Sequence, residues 1–436
     1  MRTWRRTAAI IVCGVLIVSG AARSTRAAAW VQQQRLVADD AADGDQFGGS
    51  VSLSGNTLVV GAAYNDDNGS RSGSAYVFER TGATWTQTIK LLASDADGSN
   101  YFGRSAAVSG TTVFVGAPYN SDNGTYSGSA YIFEKSGATW SETQKLIATD
   151  AAAYGRFGSA VCVDGDFAVV GAAGTDCGTT TRVGAVYLYD KVGGTWTESV
   201  KLMASDPLQG DHFGEAVAID ENRLIVGTPD KNVGGYSHGA AYIFEDNGTA
   251  WVQTAKLTAS DGYADDQFGI SVDIRGDYAV VGAPSNDDNG DASGSAYVFR
   301  KQGDTWSEVG KLLLSDAAGG DEFGTSVGID EGRAFVGAIG DAYCTGLVAV
   351  FEDNGTDWEE TCRILGPAGS YNFFGNALSL DGDTLLVGAS WELNSEEYWY
   401  DVGAAYLFTP IPEPTTMLLV GTGLAGFIGF ARRRRH

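Results

Sequence analysis

The chain is 436 residues long and carries 60 Gly, eight Pro and three Met, a composition of many turns and few helices. Its formal charge of −25 understates the acidity of the body, because nine arginines sit in two acid-free terminal segments; residues 30–414 hold 20 basic against 54 acidic groups, a balance of −34. Such a body is repelled by nucleic acid and anionic lipid while it attracts cations, so no nucleic-acid partner is expected.

Arg2, Arg5 and Arg6 precede an apolar run from Ala8 to Val18, and Ala27-Ala28-Ala29 stand just before Trp30. Basic, apolar and small regions in that order predict a secretory signal peptide over residues 1–29. Thr7-Ala8-Ala9 after the Arg5-Arg6 pair does not fit a twin-arginine signal, which leaves ordinary secretion.

From Phe47 to Leu91 the chain lays out the unit that it then repeats. Phe47-Gly48 leads into an alternating run through Val51 and Leu53, a turn at 54 to 56, and Leu58-Val59-Val60-Gly61-Ala62. An acidic loop at 65 to 69, the run Gly73 to Phe78, a Thr-Gly-Ala-Thr turn and Trp85 to Leu91 complete it. Four short runs of period two, bounded by Gly, Asn and Asp, predict four antiparallel strands. The Phe recurs at 47, 102, 157, 213, 268, 323 and 374, at spacings of 55, 55, 56, 55, 55 and 51. A single twisted sheet cannot bury both faces, and stacking such sheets round an axis is how repeats of this length make a core.

The seventh copy stops after its third strand, at Gly403 to Phe408. Trp30 to Leu36 supplies the missing one, because Trp30 to Arg35 repeats the five-residue step of Trp85 to Lys90, Trp140 to Lys145 and Trp196 to Lys201. The expectation is an all-β, seven-bladed β-propeller over residues 30–408, made of four-stranded antiparallel blades and closed by an N-terminal strand that completes the last blade.

Columns across the copies have physical readings. A Gly closes the second strand at 61, 116, 171, 227, 282, 337 and 388, as close backbone approach between blades requires. Tyr76, Tyr131, Tyr187, Tyr242, Tyr297 and Tyr406 share one third-strand position, with Ala349 the exception, and are expected in the core between blades. Cys162 and Cys177 fall in the third copy, Cys344 and Cys362 in the sixth. Export permits disulfides, and two within-blade bridges are the economical arrangement; other pairings and free thiols stay open.

Phe102-Gly103 with Gly116-Ala117-Pro118, and Phe268-Gly269 with Gly282-Ala283-Pro284, resemble the FG-GAP repeat. The resemblance covers residues 30 to 408 and implies the seven-bladed propeller found at the head of integrin α chains and in many bacterial surface proteins. Integrin-like repeats often carry a Ca²⁺ loop between strands one and two. Here that connection is only a hairpin turn, such as Ser54-Gly55-Asn56 or Asp164-Gly165-Asp166, with too few oxygens, so the family's metal sites do not carry over.

Acids gather instead in other loops. Asn65-Asp66-Asp67-Asn68-Gly69, Asn120-Ser121-Asp122-Asn123-Gly124 and Asn286-Asp287-Asp288-Asn289-Gly290-Asp291 join strands two and three. Asp40 with Asp45, Asp206 with Asp211, Asp261 with Asp266 and Asp316 with Asp321 lie between blades, each pair five apart. Strand alternation places both sets on one face. Several oxygens within five residues make Asp66, Asp67, Asp122, Asp287 and Asp288 candidate ligands for weak Ca²⁺ sites; the alternative is that these Asp and Asn build Asx-turns.

No nucleophile, zinc or phosphate-loop motif appears, and His212 reads as a turn residue, so no enzyme is expected. Paired carboxylates are too numerous to single out a glycosidase site. At the C-terminus Pro412-Glu413-Pro414, an apolar run from Thr415 to Phe430 and Arg432 to Arg435 resemble the PEP-CTERM sorting signal. That resemblance, over a tail at 409–436, implies a Gram-negative-type bacterium, processing by an exosortase-type enzyme, transient residence in the inner membrane and delivery to the envelope, surface or extracellular matrix. The sequence thus predicts an exported binding or adhesion module whose acidic loop face takes an extracellular polysaccharide or a surface protein. The alternative is an exported carbohydrate-active enzyme using the same face.

Overall fold

Period-two alternation between Gly, Asn and Asp turns folds each copy into a four-stranded meander, seen here in a computed structural model that describes residues 29–411 except 234–235, 331, 368–370 and 393–400. The signal segment and the Arg-rich tail lie outside the described residues. Blade 1 consists of Ser50–Ser54, Thr57–Ala62, Ser74–Thr81 and Thr84–Leu91, each strand antiparallel to the one before. Five more blades repeat that order, from Ser105–Ser109 to Trp358–Leu365. Blade 4 adds a two-residue hairpin, Asn232–Val233 with Tyr236–Ser237, and blade 6 a helical turn, Asp341–Cys344.

Blade 7 takes three strands from the end of the chain, Phe374–Asp381, Thr384–Ala389 and Ala404–Pro410, and its outer strand from the beginning, Trp30–Leu36. Trp30 pairs with Pro410 and Leu36 with Ala405. The predicted closure is therefore present, with the third strand two residues longer than its expected end at Phe408. The closing seam uses the chemistry of an internal one. Gln34 donates through Nε2 to the Trp85 carbonyl at 2.7 Å and accepts the Trp85 N–H at 2.9 Å, as Gln144 does with Trp196 between blades 2 and 3.

The core lies between blades. Phe114 and Ile132 of blade 2 pack with Val170, Tyr187 and Trp196 of blade 3 in one continuous apolar layer, and equivalent layers fill the other seams. Each blade thereby buries both faces, the main favourable term available to an all-β ring. The Phe of the repeat is fully buried and meets the next Tyr edge-on, as Phe102 meets Tyr131 at 5.4 Å. The recurrent glycines are where backbones touch: a Cβ on Gly61 would stand 2.1 Å from the Gly103 carbonyl oxygen, and Gly103 itself sits at φ +91°.

First strands line the axis and are stitched by side chains. Ser52 Oγ accepts the Val108 N–H at 3.0 Å, Ser379 Oγ that of Leu53 at 2.9 Å, and Asp273 Oδ2 that of Ile329 at 2.8 Å. An axial cavity of ≈ 410 Å³ at the turn end is lined by Asp273, Arg275, Asp330 and Arg333 among others. Cys162 occupies the same first-strand column, and burial pushes its thiol up to about 12. Cys177 stands exposed on a loop, Cys344 in the helical turn and Cys362 in an outer strand. All four are free, which corrects the expected within-blade bridges: the two members of each pair belong to different layers of their blade.

Candidate functional site: the loop face

The loops between strands two and three and the linkers between blades emerge together. Ser99 N–H donates to the Ser70 carbonyl at 2.7 Å and Tyr101 N–H to that of Arg71 at 3.0 Å, so the blade 1 loop and the linker into blade 2 form one surface. Within the loops, much of the Asx chemistry is structural. Asn65 Oδ1 accepts from Asp67 N–H at 3.2 Å and from Ser74 Oγ at 2.8 Å, and Asn286 repeats this with Asp288 and Ser295.

The paired linker acids divide their tasks. The second of each pair is buried and caps its own loop: Asp45 Oδ2 accepts from Ala42 N–H at 3.0 Å, Asp211 from Leu208, Asp266 from Tyr263 and Asp321 from Ala318. Burial holds the Asp45, Asp266 and Asp321 carboxyls above the usual range. The first of each pair meets a cation from the outer strand. Asp40 accepts from Lys90 Nζ at 2.7 Å, Asp206 from Lys256 at 2.7 Å, Asp261 from Lys311 at 2.6 Å, and Asp316 pairs with Arg363 at 2.6 Å.

That cation belongs to the fold. Lys90, Lys145, Lys201, Lys256, Lys311, Arg363 and Arg35 each stand opposite the third-strand Tyr column, or opposite Ala349 in blade 6. In five blades the ammonium lies 5.1 to 5.6 Å from the tyrosine ring centre. In four of these blades the phenol also donates to the linker acid, as Tyr131 does to Asp95 at 2.8 Å. Burial alone would raise the Asp40, Asp95, Asp150, Asp206 and Asp261 carboxyls, but hydrogen bonds from lysine and the charge beside them hold these below the usual range.

The five predicted Ca²⁺ ligands can now be placed. Asp67, Asp122 and Asp288 hydrogen-bond to Lys90, Lys145 and Lys311. Asp66 Oδ1 accepts Arg71 N–H at 2.6 Å and Asp287 Oδ1 accepts Ala292 N–H at 2.8 Å. An ammonium thus lies between the linker acid and the loop acid, where a hard cation would need those same oxygens. At Asp67, Asp122 and Asp288 a Ca²⁺ ion would have to displace a lysine that is itself fixed in a strand.

What strand columns did not reveal is an aromatic run across the same face. Tyr64, Tyr101, Tyr119, Tyr126 and Tyr154 follow one another from blade 1 to the linker before blade 3, with ring centres 5.2, 4.9, 5.3 and 5.9 Å apart. Arg71 lies 5.5 Å from the Tyr64 ring and donates to the Tyr101 hydroxyl at 3.1 Å, while Arg156 lies 5.7 Å from Tyr119. Tyr154 then lines a cleft of ≈ 680 Å³ with Asp176, Arg182 and His212. His212 Nδ1 is 2.6 Å from Asp230 Oδ2, and its backbone at φ +54° bears out the turn position. The signal lay in loop positions: Tyr64 and Tyr119 each follow the second-strand Gly by three residues, and Tyr101 immediately precedes its Phe-Gly.

Fold and face together define a seven-bladed β-propeller whose interblade loops, tied down by internal ion pairs, present a continuous aromatic surface. The FG-GAP repeat model matches residues 30–78, 85–133, 140–189, 196–244, 251–299, 306–350 and 358–408, and the chain belongs to the FG-GAP repeat family. Each match begins on an outer strand and ends on the third strand of the following blade, so the sequence unit is offset from the structural one, and closure by Trp30–Leu36 follows from that offset. A PEP-CTERM protein-sorting motif matches residues 410–435, which marks an exported protein handled by exosortase-type machinery and sorted to the cell envelope or surface. No curated protein matches the chain.

Proposed function

We propose that the protein is a binding module of the cell surface or extracellular matrix that takes an extracellular polysaccharide or a surface protein on its loop face, as an adhesion or structural component. The observation that supports this most is the run of five tyrosines, two of whose rings, Tyr126 and Tyr154, are 39 and 52 % exposed in an otherwise acidic surface. Exposed, mutually braced rings offer apolar area with little side-chain entropy left to lose on binding. The loops beneath are held by backbone bonds and lysine-centred ion pairs, so the platform is pre-organised. Ca²⁺ is not needed in this reading, because lysine already balances the loop carboxylates.

Pull-down of the secreted protein on purified exopolysaccharide and on envelope extracts, beside a reducing-sugar release assay, tests it. Binding without sugar release, weakened at least tenfold in Tyr126→Ala/Tyr154→Ala, is the expected result. Release of reducing ends would favour a carbohydrate-active enzyme on this face, and unchanged binding by the variant would place the ligand elsewhere.

A further inference from the structure

The balance of charge singles out part of this face. All nine lysines of the body are ion-paired with carboxylates, as are Arg35, Arg223, Arg275, Arg333 and Arg363. In a body with 54 acids that is the expected fate of a cation. Among the described residues, Arg71, Arg80, Arg104, Arg156, Arg182 and Arg300 have no carboxylate within ion-pair distance; Arg80 and Arg300 cover Trp85 and Tyr278 at the hairpin end, and the other four belong to the loop face of blades 1 to 3. Two of them stack on the tyrosine run, Arg71 on Tyr64 and Arg156 on Tyr119, and Arg182 lines the cleft where the run ends at Tyr154. Arg71 and Arg182 are held by their own backbones, at φ +55° and +54°, with N–H groups bonded to Asp66 and Asp176. One oxygen of each of these carboxylates is thus engaged by main chain, and the Arg71 guanidinium turns to Tyr64 and the Tyr101 hydroxyl instead.

We infer that blades 1 to 3 bind a carboxylate-bearing polysaccharide, a uronic-acid chain, with sugar rings against the tyrosines and sugar carboxylates in the forks of Arg71, Arg156 and Arg182. The inference rests on the binding role proposed above and names its ligand class. Guanidinium is planar and matches a carboxylate with two parallel hydrogen bonds, which a lysine cannot do. An extended chain with a carboxylate on each residue suits a surface where rings and arginines alternate over three blades. The net negative charge of the body does not oppose this at close range, since charges further than about 8 Å away are screened at physiological ionic strength. A nucleic acid, by contrast, would bring its full phosphate charge density onto the adjoining acidic loops.

The experiment is affinity electrophoresis and calorimetry of the full secreted protein with polygalacturonate, fully methyl-esterified polygalacturonate and dextran at physiological salt. Polygalacturonate should bind at least tenfold more tightly than either neutral polymer. Arg71→Gln/Arg156→Gln/Arg182→Gln should erase that preference, and Tyr126→Ala/Tyr154→Ala should weaken all three polymers. The esterified polymer removes the carboxylate charge without touching the protein, so the outcome does not depend on how a variant folds. Equal affinity for charged and esterified chains overturns the acidic-glycan assignment while leaving a binding face intact. Absence of binding to all three polymers overturns the saccharide ligand and leaves the surface-protein partner of the binding role, and stronger binding to poly-glutamate or DNA than to polygalacturonate likewise overturns the saccharide.

Discussion

Lys90, Lys145 and Lys311 act as tethered cations. Each bridges a linker acid and a loop acid, so each should take the place of dissolved metal. The unfolding temperature of the wild-type protein should accordingly be the same in millimolar Ca²⁺ and in chelator. Lys90→Met should cost about 1–2 kcal/mol, between the values of exposed and buried pairs, and should make the melting temperature respond to Ca²⁺; calorimetry in both media reads each outcome. A second residue gives a pH signature. Asp273 faces the axial cavity, and burial among first strands pushes its carboxyl up to about 7, with the Ile329 and Ile274 N–H groups opposing. Because the folded state keeps this proton more tightly, its contribution to stability declines as pH rises from the ordinary carboxylate range through about 7. Ser52 and Ser379 make the same interblade bond with a neutral oxygen. Asp273→Ser should therefore melt on the order of 2 °C higher than wild type at pH 8 and gain clearly less at pH 5 in parallel thermal scans.

At the scale of strands, the outer strand Trp30–Leu36 carries the ring. It supplies the full ladder to Ala404–Pro410, the Gln34 clamp on Trp85 and the Trp30 ring 5.3 Å from Phe335. Beginning the mature chain at Asp39 should expose the edge of the third strand and remove an aromatic contact of the class worth about 3–5 kcal/mol on truncation. Against a net stability of roughly 5–15 kcal/mol this should give aggregation or an open ring, read by light scattering and thermal melting. A monomer with unchanged melting temperature would sink the closure argument. Strands, turns and closure were legible because they are periodic: Phe-Gly, the second-strand Gly and the Trp column recur at nearly fixed spacing. The loop face was legible only as composition. Asp67 and Lys90 lie 23 residues apart, and only the fold brings the outer strand back under the loop. The tyrosine run was hidden for a related reason, since no single column holds it and neighbouring copies contribute different loop positions.

For the whole molecule, the ion-paired linker acids set its acid limit. The Asp40, Asp95, Asp150, Asp206 and Asp261 carboxyls sit below their ordinary value, so their contribution is fully present above that value and is lost as pH falls through the lowered ones. Denaturation should set in below about pH 4, steeply because several equivalent groups titrate together; circular dichroism against pH measures it. Polarity of the ring follows from strand direction. Outer strands begin, and third strands finish, at the end away from the loops, and there Ile411 N–H donates to the Ala29 carbonyl at 2.7 Å. The last described residue, Ile411, thus stands on the side opposite the tyrosines. Mass spectrometry of the surface protein should find the arginines at 432 to 435 removed; an intact C-terminus would refute processing there.

The pairing of Leu36 with Ala405 also imposes a timetable. A chain exported from its N-terminus delivers the closing strand first and the strand that receives it last, with six complete blades arriving in between. Throughout that interval Trp30–Leu36 lacks its ladder partner Ala404–Pro410, and an unpaired strand edge bearing a half-exposed tryptophan is a template for unwanted association. The ring behaves as a necklace whose clasp is made of its first and last beads. Its assembly should be limited by the final stretch of translocation, and any periplasmic helper that shields this strand would act before the blades need help.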